Sequence, residues 1–488
     1  MSNQISEDGQ SYQRHTIQLT REMSTRSGNV YNKDEDFVNV LFELVKDRPA
    51  HDKRDFVLKR AGTAQLIASQ ISSQVRGMFF WEDASKLIYS ADKNVYVYNF
   101  SNSTLTTLSN VFSTTTGDVG FTEYLYDSNT VVICATDGTT LITIDASNTV
   151  VTCADADLPV PHLPYPVFMD GYLFLIKANT SDIYNSDLND PMLWTAGNFI
   201  SAEMLPDLLI RIAKVNNYLI AFGSESIEYF YDAANATGSP LSRNDSPIKI
   251  NTYIGGLSQF GNDLFYLGKS AGGQPSVFML KDFKVDELGS PSIMRYLNFV
   301  TESTSTWKTS IVAIQGHTIL LLAVGDRSFV YDLENKLWGR WSYKTTEAFP
   351  IVYSTRVNGS TYRYTVFAFK EASSAIYYFS DSLMQDSGTN YTCQIITEQA
   401  NFGTLNRKTM SRLVLCGDRT PSNSNLDIYW TDNDFQSFQG PKSINLNQDL
   451  QSAYILGSFR QRAFKIKYTG DYIMRLQYIE VDINKGVS

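Results

Sequence analysis

Zinc chemistry needs histidines, thiolates or carboxylates at short, regular spacing. This chain has the residues without the spacing. Its four histidines, His15, His51, His162 and His317, stand far from one another and from the four cysteines, Cys134, Cys153, Cys393 and Cys416. No HxxxH, HExxH or CxxC pattern occurs. The cysteines read as reduced thiols on strands, with Cys134 and Cys153 on neighbouring ones. "GNDLFYLGKS" from Gly261 has the ends of a phosphate loop, but the glycines are too far apart and "LFYL" reads as a strand. A GxSxG nucleophile elbow is absent. Glycoside hydrolysis needs two facing carboxylates, and nothing marks such a pair among the 51 available. "YWTDNDFQSF" from Tyr429 has the outline of the Asp-box turn S-x-D-G-G-x-T-W, with Thr431, Asp432, Asn433 and Phe438 in matching places. Asp434 and Phe435 replace its glycines. Such turns are structural, with Asp432 or Asn433 bonding the turn backbone. The basic cluster Lys53, Arg54, Lys59 and Arg60 reads as a solvated turn. The expectation is therefore no catalytic residue, no metal site and no cofactor.

The elements that carry these residues are strands. The chain has 488 residues, 43% hydrophobic and 19% charged, which is a folded composition with room for two or three domains. Its 29 tyrosines and 28 phenylalanines, with abundant Ser, Thr and Val, favour strands over helices. No apolar run is long enough to span a bilayer, so no stable membrane insertion is expected. The opening "MSNQISEDGQSYQRHTIQ" lacks the features of a signal peptide, which reads as a chain made in a cytosol. A net charge of −10 argues against a free-standing nucleic-acid binder. It suits a surface that nucleic acid slides past without sticking.

The stretch "SQVRGMFFWEDASKLIYSADKNVYVYN" from Ser73 holds short apolar runs separated by turn-forming residues. The pattern recurs from Asn129, Asp170, Asn216, Gly261, Gly316 and Val366, at the period of β-propeller blades. Four candidate strands make up the first unit: "RGMFFW", "KLIYS", "NVYVYN" and "TLTTLS". Asp137-Gly138, Asp170-Gly171 and Asn358-Gly359 sit where hairpins need positive φ. About seven four-stranded blades fit between Val75 and Gly388, with six or eight as alternative counts. Sheets covered on both faces explain the continuous apolar runs.

Residues 1–72 are read as an N-terminal arm and propeller-closing segment, in which "FVNVLFELV" forms a strand or a short helix. Residues 73–388 form the propeller. Residues 389–488 hold seven candidate strands, the size and rhythm of a β-sandwich. The fold class is all-β: a β-propeller followed by a C-terminal β-sandwich.

Several stretches occur in a telling order: "FVNVLFELVKDRPAHDKRDFVLKRAG", "VRGMFFWEDASKLIYSADKNVYVYN", "FGNDLFYLGKS", "SFVYDLENKLWGRWSY", "IYWTDNDFQSF" and "LGSFRQRAFKIKY". From about Phe37 onward the chain resembles the tail nozzle or hub proteins of short-tailed bacteriophages, the packaged-DNA stabilisation family. Ala61, where a proline is usual, and the altered turn at Asp434 and Phe435 depart from that pattern. The resemblance implies a structural virion protein, not an enzyme, assembled in the host cytoplasm and placed in the virion tail. It implies a homo-hexameric ring below the portal and tail adaptor that completes head closure, retains packaged DNA and forms part of the ejection channel. Tail fibre, spike or plug proteins would be its neighbours, and double-stranded DNA would pass without sequence-specific binding. Six copies carry about −60 formal charges if each chain's −10 is summed, so an acidic or neutral channel is expected, with Arg460 and Arg462 outside it or paired. The alternative is a glycan-binding or glycan-cleaving propeller.

Overall fold

The computed structural model describes residues 3–5, 11–19, 37–44, 55–126, 130–244, 253–270, 272–359 and 362–486. Its regular structure is nearly all β, with 56% strand and 3% helix. Six antiparallel four-stranded sheets stand as separate blades, spanning 75–108, 120–152, 167–201, 209–243, 253–287 and 351–380. In the last of these, the fourth strand is Gly62–Ile67 from near the start of the chain, paired with Ile376–Ser380. A further four-stranded unit, 308–340, lies between the fifth and last blades. It is also the first part of a nine-stranded sheet.

The innermost strands are Val75–Trp81, Gly120–Tyr126, Val167–Met169, Leu209–Val215, Tyr253–Phe260, Lys308–Ile314 and Ile351–Asn358. Seven separate apolar clusters lie between consecutive units and close the circle. Trp81, Ile88 and Val97 of the first unit meet Ile133, Ile142 and Ile144 of the second. Val352 and Val366 of the last meet Val75, Leu87 and Tyr89 of the first. Both faces of a blade are therefore covered, which is why all six residues of Lys86–Ala91 are buried and why strands read as unbroken apolar runs. Packing is tight where inner strands converge. A Cβ on Gly77 would lie 1.9 Å from the Val119 carbonyl oxygen, and one on Gly120 would lie 2.2 Å from that of Pro164.

Hairpin chemistry follows the turn residues. Asp170 and Gly171 have φ of 52° and 87°, and Gly138 has φ of 91°. Gly359, the third expected site, is not among the positive-φ glycines. The single described α-helix, Pro291–Phe299, is inserted between the fifth and sixth units. Ser290 caps it by accepting from the Ile293 amide, and Ile293 and Leu297 pack into the core between those units.

The C-terminal region is two sheets facing across one apolar core. One contains Ser11–Gln18, Arg475–Lys485 and Lys408–Gly417. The other contains Phe37–Val38, Cys393–Ile396, Ala463–Tyr468, Asn425–Thr431 and Gln439–Asn445. Phe464, Ile466 and Tyr468 point into the core while Lys465 and Lys467 are partly exposed. "FVNVLFELV" is strand rather than helix, as Phe37–Val38 and Val40–Glu43, broken by Asn39 at φ 57°. Phe37–Val38 pairs with Cys393–Ile396 on one side and with Leu337–Arg340 on the other. A single sheet thus runs from a propeller blade into the sandwich.

Candidate functional site

Two polar assemblies stand out, one on the propeller axis and one where the chain enters and leaves the ring. The axial one is built by repetition. Asp118 precedes the second inner strand and Tyr165 the third. Arg211, Tyr253, Lys308 and Tyr353 lie within the first three residues of the fourth to seventh. The inner strands share a direction, so these positions gather at one end of the axis.

There, Asp118 is the hub. Lys308 Nζ is 2.9 Å from both of its carboxylate oxygens. The Tyr353 hydroxyl donates to Oδ1 at 2.6 Å and the Tyr165 hydroxyl to Oδ2 at 3.1 Å. Burial works to raise the Asp118 pKa, but Lys308 and the Tyr353 hydroxyl outweigh it and hold the carboxyl below its usual range. Burial, together with Asp118, drives the Tyr353 phenol well above its ordinary value. The guanidinium of Arg211 lies 3.5 Å from the Tyr165 ring centroid. A cavity of about 900 Å³ opens beside this cluster, and a second of about 410 Å³ shares Asp118, Tyr165, Arg211 and Tyr353 with it.

The second assembly centres on Arg60, which is fully buried. All five guanidinium N–H groups have acceptors. Nη1 and Nη2 reach Asp386 at 3.0 and 2.6 Å, and they also donate to the Ala61 and Ser342 carbonyls at 2.9 and 2.8 Å. Nε donates to Asn39 Oδ1 at 3.0 Å. The guanidinium stacks 3.9 Å from the Tyr391 ring centroid, and the Tyr391 hydroxyl donates to the Arg60 carbonyl. Lys59, also fully buried, donates to the Met384 and Gly470 carbonyls at 2.7 and 2.5 Å. One clasp therefore holds the N-terminal strands, the blade ends at Ser342 and Asp386, and the sandwich at Tyr391. This corrects the solvated-turn reading of Lys59 and Arg60: both are buried, and most of their acceptors come from residues hundreds of positions away. Lys53, Arg54 and His51 lie outside the described residues. At Ala61 the backbone N–H donates to Gln315 Oε1 at 2.7 Å, a bond that proline could not make.

The other singled-out residues have their contacts within the fold. His162 is buried, 2.6 Å from Thr136 Oγ1. His317 pairs with Asp332 at 3.0 Å, and Asn335 ties that pair to the Phe42 carbonyl at 2.7 Å. His15 packs edge-on to Phe402. All four cysteines are free. In the Asp-box-like turn, the backbone is held by Asn433, whose Oδ1 accepts from the Ser437 amide at 3.1 Å. Asp432 instead pairs with the buried Arg462 at 2.7 and 2.8 Å. Arg460 donates to the Leu405 carbonyl. The "GNDLFYLGKS" stretch forms the strand Asp263–Lys269. Among the described residues no cluster of three metal-ligating side chains occurs.

The fold is a propeller ring joined to a sandwich, with its axis bridged by ion pairs and phenols. The sequence profile described as "Bacteriophage P22 Gp10, beta-propeller" matches residues 27–382, and the chain belongs to this phage tail hub and DNA-stabilisation family. Among curated relatives it is similar to the tail hub protein gp10 of Salmonella phage P22, at 24% identity over 186 residues. That alignment covers 36% of this chain and 39% of the relative. Among solved structures it resembles a virginiamycin B lyase from Staphylococcus aureus, with a TM-score of 0.45, 10% identity, and 65% of this chain and 98% of the other covered. It also resembles the N-terminal domain of Nup159, with a TM-score of 0.39, 10% identity, and 71% and 100% covered. Among the described residues no helix is long and apolar enough to cross a membrane.

Proposed function

We propose that this protein is a structural, non-catalytic tail hub subunit that forms a ring of six below the portal and adaptor, completes head closure, retains packaged DNA and contributes to the ejection channel. Family membership over residues 27–382 is the observation that carries the reading. In it, residues 1–72 act as the arm and closing segment and lend strands to the sandwich, 73–388 act as the propeller, and 389–488 supply the rest of the sandwich, which meets neighbouring subunits, fibres, spikes or a plug. DNA passes between copies, not through a propeller. The axis is bridged by Asp118, Lys308, Tyr165 and Tyr353, whereas a duplex has a major groove alone about 12 Å wide. The axial cavity also argues against a two-carboxylate glycosidase, because Asp118 is the one carboxylate among its described lining residues and it is already engaged. Assembly takes place in the host cytoplasm and the product resides in the virion tail.

The experiment is deletion of the gene in an infected host. Heads should package DNA, then leak it and fail to infect. Particles that lack the protein yet stay full and infectious would remove the reading.

A further inference from the structure

The axial cavity has a charge that the rest of the chain does not. The whole chain carries −10, yet the charged described residues lining the 900 Å³ chamber are Arg211, Lys308 and Arg356 against Asp118 alone. The adjoining chamber adds Lys214 and no further carboxylate. Lys308 is matched by Asp118. Arg211 is half-buried, lines both chambers and shares the field of that same carboxylate, but no hydrogen bond engages it among the described residues. One carboxylate thus answers several cations, and a partly desolvated cationic excess of this kind is completed by an anion.

We propose that the axial cavity binds a small hydroxylated oxyanion, a sugar acid or a sugar phosphate, whose acidic group pairs with Arg211. The planar guanidinium, already stacked on Tyr165, presents the fork that carboxylate and phosphate accept. Arg356 reinforces the field from the exposed side. Ser258, Thr309, Ser354 and Gln259 line the same chamber; Ser258, Ser354 and the Gln259 amide already donate within the fold, so they offer their oxygens as acceptors and Thr309 its hydroxyl as donor. The volume is that of an ordinary small-molecule site. Asp118 fixes Lys308 and two phenols, so the wall is organised before a ligand arrives. The proposal is independent of the tail-hub reading, and its failure leaves that reading untouched.

The test is calorimetric titration of the full chain with glucuronate and glucose 6-phosphate, with glucose as the neutral control. Saturable binding of an acid, absent for glucose and weakened by salt, is expected; which acid binds tighter distinguishes carboxylate from phosphate. Arg211→Gln should weaken it by about tenfold or more, the loss expected for a charge-assisted hydrogen bond. Arg356→Gln, at an exposed side chain, should weaken it less without disturbing the fold, and circular dichroism checks both variants. Acids that bind no better than glucose overturn the proposal, as does an affinity unchanged in well-folded Arg211→Gln. If Arg211→Gln does not fold, Arg356→Gln and the salt dependence decide: an affinity indifferent to both rejects the site.

Discussion

Arg60 and Asp386 form a bidentate ion pair with both side chains at 0% exposure. A buried pair of this kind is weak evidence for net stabilisation, but removing one partner leaves the other charge uncompensated. We expect Asp386→Asn to cost about 3–5 kcal/mol in denaturant unfolding. Removing Arg419 from its exposed pair with Asp449 should change stability little. Equal effects at the two sites would contradict the clasp. A second residue-scale expectation concerns pH. The Asp332 hydrogen bond outweighs burial and raises His317. Burial works to raise Asp332, but His317 and Asn335 outweigh it and lower the carboxyl. The stability from His317 is full below its unfolded value and is lost as pH rises through the raised folded value. That from Asp332 is present above its unfolded value and is lost as pH falls through the lowered one. The pair thus contributes most between roughly pH 4 and 6.5. His317→Asn should cost more stability at about pH 5.5 than at about pH 8.5, read from urea midpoints; the same cost at both would exclude the linkage.

At the scale of elements, the strand Gly62–Ile67 finishes the last blade and is followed within the chain by the first. Without it, Ile376–Ser380 becomes an open sheet edge, and open edges associate. A chain lacking residues 1–72 also loses Arg60 and the strands that join blade to sandwich. It should aggregate on gel filtration and lose its cooperative melting transition; a monodisperse product with unchanged melting would contradict this role. The repeats were legible because two-sided burial writes itself as unbroken apolar runs, as in "KLIYSA". The sandwich strands were legible by alternation, as in "RAFKIKY". The clasp was not, since a Lys-Arg pair beside a turn looks solvated until Asp386, Ser342 and Tyr391 arrive from distant sequence. The axial cluster left a fainter signal: a charge inside an apolar inner strand, Arg211 in "LLIRIAKV", and residues recurring at the same place in successive units. Only the ring brings Asp118, Tyr165, Lys308 and Tyr353 together.

At the scale of the whole molecule, one nine-stranded sheet crosses from propeller to sandwich, so the two move together and force on one is carried into the other. That suits a subunit loaded by the packaged genome. The axis of each propeller is bridged and locally cationic, while the chain as a whole is acidic. In the ring proposed above, the path for DNA lies between copies, where acidic or neutral walls let phosphates pass. The most direct measurement is a cryo-EM map of the virion tail. The account predicts six copies in a ring below the portal and adaptor, DNA density on the ring's shared axis, and none within any propeller. A copy number other than six, absence from the tail, or a channel lined by continuous rings of Lys and Arg would contradict it.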